Sequence, residues 1–221
     1  MKGKIAVLDL SLTRVLLWLP AVVIAITFHE YAHGKMADLL GDPTPRYQGR
    51  LTLNPLVHID VLGFLLLLFA GFGWAKPVQV NPWNLRRGPR QGMMLVALAG
   101  PLMNLVVAFT SALILTLALP DLVILNSQNI LVGVLRALVV VNVYLAVFNL
   151  IPVPPLDGAK ILAGFLKSGD LIYRLEIYGP VILLLLIATG LVGKILIPIS
   201  AYVIHFLSLL AHIFALPFRG I

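Results

Sequence analysis

Long apolar runs separated by short polar breaks dominate the chain. A helix that crosses a bilayer needs about 20 predominantly apolar residues, and five runs reach that length. They cover residues 12–40, 92–119, 130–150, 172–192 and 195–217. Gly, Pro and charged residues mark the breaks, as in Gly41-Asp42-Pro43 after the first run. The pattern predicts an all-α membrane protein, a polytopic helical bundle of about five to six transmembrane segments.

A sixth apolar run, residues 61–73, has 13 residues with three glycines. It is too short for a relaxed span of about 20 residues. Polar and apolar residues alternate on both sides of it, in GRLTLNP (49–55) and WAKPVQVNP (74–82), as they do in short strands. Strand-like backbone survives at membrane depth only where it is paired and faces protein or water. We therefore expect a re-entrant or partly spanning segment with a small β-hairpin or sheet near the polar cluster described below.

Composition supports the membrane assignment and narrows the partners. The 221 residues are 60% hydrophobic and 11% charged, whereas about a quarter of a soluble domain is charged. Cysteine is absent, which excludes a thiolate metal site. The basic residues are scattered, which argues against a nucleic-acid partner. We expect a single membrane-embedded domain over residues 1–221, with a core at about 12–167 and a C-terminal helical hairpin at about 172–217.

The distribution of Lys and Arg predicts the orientation in the membrane. Cytoplasmic loops carry an excess of these residues. If residues 61–73 do not cross the bilayer, most Lys and Arg fall on one side, which we expect to be cytoplasmic. The loop at 120–129 contains none and is expected to be external. Lys2, Lys4 and Lys194 fall on the other side and conflict with the rule.

An ionisable cluster, His29-Glu30-x-x-His33, interrupts the first apolar run. A charged side chain at mid-bilayer costs about 2.5–3.5 kcal/mol on insertion scales. Residues i and i+4 share a helix face, so both imidazoles can bind one metal ion, and Glu30 can border the same pocket. Zinc accepts such ligands with a third protein ligand and an open position for water. Glu30 could then act as the general base in amide hydrolysis. The alternative is a structural role, with capping histidines and a snorkelling glutamate.

Asp157 is the candidate for the third ligand. It follows the Pro-rich break IPVPP, which ends a predicted spanning helix. Proline there forbids a continuous helix, and Gly158 lets the chain turn close to its neighbour. A carboxylate at such a break can point back into the bundle. The alternative is that Asp157 caps the next short helix, a position for which Asp is well suited.

These motifs resemble those of the site-2 protease family of intramembrane zinc metalloproteases. The resemblance rests on TFHEYAHG (27–34) and FNLIPVPPLDG (148–158). It extends to GRLTLNPLVHID, GFGWAKPVQVNP and ALAGPLMNL, so that it covers residues 25–165. The chain most resembles the short prokaryotic members that lack a PDZ domain. It departs from many members in having few residues before the HExxH helix.

The resemblance implies the roles of five residues. His29, His33 and Asp157 match the zinc ligands of the family. Glu30 matches the catalytic glutamate, and Asn149 matches an asparagine beside the active site. Asn149 could donate a hydrogen bond to a developing oxyanion, and an interhelical hydrogen bond in the bundle is the alternative.

Other polar residues in the apolar runs have weaker claims to a functional role. Asn104 is interpreted as a packing residue and His58 as a structural one. His205 and His212 lie seven residues apart on one face of the last helix. A second metal site there is an alternative to two histidines at the membrane interface.

The resemblance and the motifs together predict an intramembrane metalloprotease with one Zn²⁺ per chain. We expect it to reside in a prokaryotic cell membrane as a multi-pass protein, with its active site open to the cytoplasmic side. Its partners are then the lipid bilayer and the transmembrane segments of single-span substrates. A catalytically inactive scaffold and a metal-ion transporter are the alternatives. The sequence determines neither the substrate nor the oligomeric state.

Overall fold

The computed structural model describes residues 12–70, 73–117, 129–166 and 169–218. Over these residues the protein is mostly helical, with eight α-helices and three short 3₁₀ helices. The 3₁₀ helices are Pro55–Val57, Pro82–Asn84 and Leu216–Phe218. The α-helices are α1 (Leu12–Leu39), α2 (Thr44–Tyr47), α3 (Val61–Ala70), α4 (Pro89–Leu117), α5 (Ile130–Asn149), α6 (Asp157–Phe165), α7 (Gly169–Ala188) and α8 (Leu191–Ala215).

Within the described residues, three helices have the length and composition to cross a membrane. They are Pro89–Leu117, Ile130–Asn149 and Leu191–Phe218. Each coincides with one of the predicted apolar runs. The other two predicted runs form the long helices α1 and α7. The loop predicted at 120–129 lies outside the described residues except for Asn129, as do Lys2 and Lys4.

Helices α1, α4 and α5 pack on one another and form the centre of the bundle. Ala21 and Ala25 of α1, Ala108 of α4 and Ala146 of α5 are all fully buried. In lipid, helices associate through close van der Waals packing, which small residues permit. α8 covers α4 and α5 through Leu207, and α7 packs on α8. The described core is therefore a three-helix centre with a helix pair on its flank.

Helices α7 and α8 meet at a tight turn that lies earlier than the sequence predicts. The gap between the apolar runs 172–192 and 195–217 predicts a turn at Gly193 and Lys194, but both residues lie inside α8. Gly190, with φ of +71°, immediately precedes α8. Glycine adopts this left-handed conformation without the steric penalty of a side chain. A glycine at 190 therefore ends one helix, whereas the glycine at 193 is tolerated inside the next.

The predicted strand at residues 49–54 is wrong. Gly49 closes α2 with φ of +67°, and the side chain of Asn54 caps the next 3₁₀ helix by accepting from Leu56 N–H. In the described residues, strand pairing is limited to one antiparallel bridge, Ile59 with Ala75. The alternation at 49–55 reflects a series of turns, because Gly and Asn-Pro favour turns. Of the hairpin predicted beside the cluster, the described residues show this bridge alone.

Candidate active site

Two imidazoles and one carboxylate meet between α1, α4 and the start of α6. His29 and His33 lie one turn apart on α1, and their Nε2 atoms are 3.0 Å apart. Asp157 Oδ2 lies 3.2 Å from Nε2 of His29 and 3.0 Å from Nε2 of His33. All three residues are buried. In the described part of the chain, they form the one group of three side chains able to hold a metal ion.

Asp157 reaches the histidines because the chain turns sharply before α6. A Cβ on Gly158 would press into the carbonyl groups of Leu150 and Ile151, so only glycine fits this close approach. The N-cap of α6 is Leu156, and no side chain caps this end. The alternative in which Asp157 is the helix cap is therefore wrong. Its carboxylate points to the two histidines, and its Oδ1 lies 3.3 Å from Lys160 Nζ.

Hydrogen bonds at the far side of each ring fix its orientation. Nδ1 of His33 lies 2.7 Å from the carbonyl oxygen of Val96. A carbonyl only accepts, so Nδ1 carries the proton and Nε2 presents its lone pair. Nδ1 of His29 lies 2.6 Å from Oδ1 of Asn104. The same logic applies there, so both Nε2 lone pairs face the Asp157 carboxylate.

This set of atoms fits a zinc ion. Three acceptor atoms within 3.2 Å of one another repel unless a cation lies among them. Imidazole nitrogen and carboxylate oxygen are ligands that Zn²⁺ prefers, and three protein ligands with one open position are typical of catalytic zinc. The hydrogen bonds behind the rings are the usual support for such ligands.

Gly100 of α4 makes room for the two rings. A Cβ at this position would lie 2.5 Å from Cε1 of His33 and 2.7 Å from Cε1 of His29. Both distances are far shorter than van der Waals contact. The α4 backbone therefore passes directly beside the metal-binding edges of the rings, and any side chain at 100 would displace them.

Glu30 lies beside the ligands and faces the irregular segment that leads to the second 3₁₀ helix. It is buried, at 9% exposed, and its Oε2 accepts from Val78 N–H at 3.0 Å. The segment that carries Val78 is held by Asp42, which accepts from Asn81 N–H at 2.7 Å and from Asn84 Nδ2 at 2.9 Å. One carboxylate after α1 thus fixes the backbone that contacts Glu30.

Two cavities meet at the cluster. One, of about 670 Å³, is mainly apolar and is lined by residues that include Trp18, Tyr144 and Phe148. The other, of about 310 Å³, is more polar and is bordered by Asp157 and Lys160. His29, Glu30 and Asn149 line both cavities. The site therefore has an apolar approach and a polar approach.

Of the other polar residues discussed from the sequence, Asn149 borders the site, whereas the three remaining histidines do not belong to the ligand group. Asn149, the last residue of α5, borders the site and donates from Nδ2 to the carbonyl of Leu145 at 3.0 Å. His58 is fully buried and donates from Nε2 to the carbonyl of Thr52 at 2.8 Å, consistent with the structural interpretation. His205 and His212 belong to no group of metal ligands among the described residues.

Sequence reasoning missed several contacts. Asn104, which we interpreted as a packing residue, contacts His29 directly. Val96, Val78 and Gly100 act through their backbone, which leaves no signal in side-chain chemistry. Glycine inside a predicted helix costs about 1 kcal/mol relative to alanine, and that cost at Gly100 is the signal that could have drawn attention to it.

A buried centre of two imidazoles and a carboxylate, with a glutamate beside it, is the kind of site found in zinc hydrolases. Comparison with known proteins agrees. The model of Peptidase family M50 matches residues 118–189. "Putative zinc metalloprotease YwhC" of Bacillus subtilis is 38% identical over 181 residues, which cover 80% of this chain and 82% of that protein. The chain belongs to peptidase family M50, the site-2 protease family.

More distant relatives carry similar names. "Putative zinc metalloprotease MJ0611" of Methanocaldococcus jannaschii is 29% identical over 70% of this chain and 73% of that protein. "Putative zinc metalloprotease Rip2" of Mycobacterium tuberculosis is 30% identical over 66% of this chain and 55% of that protein. No solved structure matches the chain. The family and the apolar helices together indicate a membrane protein of the metallopeptidase class, with zinc as its metal.

Proposed function

We propose that this protein is an intramembrane zinc endopeptidase that hydrolyses peptide bonds within or near the transmembrane segments of single-span membrane proteins. The observation that carries the proposal is the position of Glu30 and the ligand group, where an apolar cavity meets a polar one. The apolar cavity suits the side chains of a transmembrane segment. The polar cavity gives water a route to the same point.

The chemistry divides between the ligands and Glu30. His29, His33 and Asp157 would hold the zinc, and a bound zinc would polarise a carbonyl and lower the pKa of water to about 7. Glu30 is oriented through Oε2 by Val78 N–H, which leaves Oε1 to take a proton from water. Glu30 then delivers that proton to the leaving amine, so one residue serves as base and acid. Asn149 lines both cavities, and we assign its side-chain amide as the donor to the developing oxyanion.

The substrate must be extended at the cleavage point, because a helix hides its amides in internal hydrogen bonds. Val78 N–H is committed to Glu30 and Asn81 N–H to Asp42. In the described structure the N–H groups of Gln79 and Val80, between them, have no hydrogen-bond partner. An added strand pairs with alternate residues of a backbone edge, so one of these two neighbouring donors can bind an unwound substrate by strand addition. The available donors thus lie within the strand-like stretch at 74–82 that the sequence predicts.

The contacts of the basic loops support a proposed arrangement in the membrane. Arg86 N–H donates to the carbonyl of Leu40, and Arg90 Nη1 donates to that of Leu166. These bonds support a position of the basic loops at one end of the bundle, which we propose to be cytoplasmic. The bridge between Ile59 and Ala75 joins the two flanks of α3, which supports a re-entrant segment that enters and returns at that end. The chain then has five full spans and one re-entrant segment.

Glu30 distinguishes this function from an inactive scaffold and from a metal-ion transporter. A scaffold has no use for a buried carboxylate beside the ligands. A transporter needs acidic or histidine groups along a path through the membrane, whereas the described residues contain a single group of metal ligands. The geometry thus favours hydrolysis.

The test uses purified protein in proteoliposomes with a panel of single-span peptides. Wild type is compared with Glu30→Gln and with Glu176→Gln, a matched control at the other glutamate of the chain, which lies exposed in α7. Zinc content is measured in every sample. We expect cleavage by wild type and by the control, and loss of cleavage in Glu30→Gln with zinc still bound. Cleavage that survives Glu30→Gln rejects the assigned mechanism, and zinc transport into dye-loaded vesicles without cleavage supports the transporter.

A further inference from the structure

A chain of buried side chains leads from α5 through α4 to the first imidazole of the ligand group. Asn142 of α5 and Asn104 of α4 are both fully buried. Asn104 Nδ2 donates to Asn142 Oδ1 at 2.8 Å, and Asn104 Oδ1 lies 2.6 Å from Nδ1 of His29. Two buried primary amides in a bilayer-spanning bundle are costly unless every polar atom is paired. Here the hydrogen bonds of the two amides extend to His29, one of the proposed metal ligands.

Backbone carbonyls fix the direction of every bond in this chain. Asn142 Nδ2 donates to the carbonyl of Leu138 at 2.9 Å, so its Oδ1 must be the atom that faces Asn104. Asn104 Nδ2 donates both of its protons, one to Asn142 and one to the carbonyl of Ala25 at 3.0 Å. Its Oδ1 is therefore left for His29. An amide oxygen only accepts, so Nδ1 of His29 must carry the ring proton.

We propose that Asn142 and Asn104 are positioning residues that hold His29 in the Nδ1–H tautomer, with the Nε2 lone pair directed at the metal. The inference rests on the zinc chemistry proposed above. His33 obtains the same tautomer from the backbone carbonyl of Val96, which cannot rotate. A side-chain amide can rotate, so Asn104 needs its own anchors. Ala25 supplies one anchor and Asn142 supplies the other.

Asn142 touches none of the three ligands, so its effect on zinc passes through Asn104. Removing Asn142 leaves one N–H of Asn104 unpaired in an apolar core, which favours rotation of the amide away from its native orientation. A rotated amide presents a donor to His29 and favours the Nε2–H tautomer, which has no lone pair on Nε2 to offer the metal. Mutations behind ligating histidines typically cost about 10- to 100-fold in metal affinity.

The experiment measures zinc affinity and the histidine tautomer in full-length protein in detergent. The variants are Asn104→Leu and Asn142→Leu. Ser111→Ala is the control, because Ser111 is a buried polar residue of α4 whose hydroxyl donates within its own helix, to Val107. Zinc dissociation constants come from competition with a chelator. The tautomer comes from ¹⁵N NMR of labelled histidine in the metal-free protein at mildly alkaline pH, with His29 assigned by its loss in His29→Gln.

We expect wild-type His29 to show the Nδ1–H signature. We expect zinc affinity to fall about 10- to 100-fold in Asn104→Leu and about 10-fold in Asn142→Leu, with little change in Ser111→Ala. An Nε2–H signature for His29 in the wild type overturns the inference without any variant. Equal affinities in Asn142→Leu and Ser111→Ala also overturn it, while cleavage by wild type leaves the proposed function intact. A wild type that binds no zinc overturns the proposed function itself.

Discussion

Substitution of Gly100 by alanine adds one methyl group beside the two histidine rings. It therefore tests how closely α4 packs against the metal site. An added Cβ would lie 2.5 Å from Cε1 of His33, whereas ordinary contact begins at 3.4 Å. The shortfall of 0.9 Å must be met by movement of the ring or of α4. The ring cannot swing freely, because its Nδ1 is held by the carbonyl of Val96 on α4 itself.

The expected loss of catalytic rate is large for the addition of one methyl group. A misplacement of about 1 Å at a catalytic centre can cost about 100-fold in rate, which corresponds to about 2.7 kcal/mol. In a helix interior without such contacts, Gly→Ala stabilises by about 0.8–1 kcal/mol. Gly193 of α8 provides that comparison, since a Cβ there would meet no atom within 4 Å.

The assay compares Gly100→Ala and Gly193→Ala in peptide cleavage, zinc affinity and thermal unfolding. Gly193→Ala should keep wild-type cleavage and gain a little stability. Gly100→Ala should lose about 100-fold in cleavage and should bind zinc more weakly. Wild-type turnover and zinc affinity in Gly100→Ala would refute the geometry described for the two rings.

Three further predictions concern residues around the cluster. Val78→Pro removes the N–H that orients Glu30, so cleavage should fall while zinc content, measured by mass spectrometry, stays at the wild-type level. Asn149→Ala should lower kcat by about 100- to 1000-fold with little change in KM, and an unchanged kcat would remove Asn149 from the mechanism. Burial raises the pKa of Asp42, but hydrogen bonds led by those of Thr44 and Asn84 outweigh it and hold the pKa below its ordinary value. The stabilising effect of Asp42, measured as the Tm difference from Asp42→Asn, should therefore be complete above the ordinary pKa and decline as pH falls through the lowered one.

The long helices could be predicted from the sequence because their signal is local. Apolar runs of about 20 residues leave little alternative to a helix in lipid. The pairing of His29 with His33 follows from helical periodicity alone. Asp157 could be proposed because the Pro-rich break and Gly158 forbid a continuous helix, but its approach to the histidines depends on how α6 packs against α4.

Other features depend on tertiary packing that the sequence pattern does not specify. The contact between Asn104 and His29 depends on the register of α4 against α1, and the hydrophobic period does not determine that register. The N–H of Val78 that reaches Glu30 belongs to the backbone and has no residue signature. The alternation at 49–54 misled because six residues of alternating polarity can also arise from turns, and Gly49 and Asn54 carry the turn conformations here.

The most direct test of the account is the zinc environment of the purified protein. X-ray absorption at the zinc edge, combined with metal analysis, should show one zinc per chain with two imidazole nitrogens and one carboxylate oxygen as protein ligands. Asp157→Ala should lose the carboxylate and most of the affinity. Zinc that binds with the same affinity and the same ligand shell in Asp157→Ala would contradict the central claim, because the metal would then lie elsewhere.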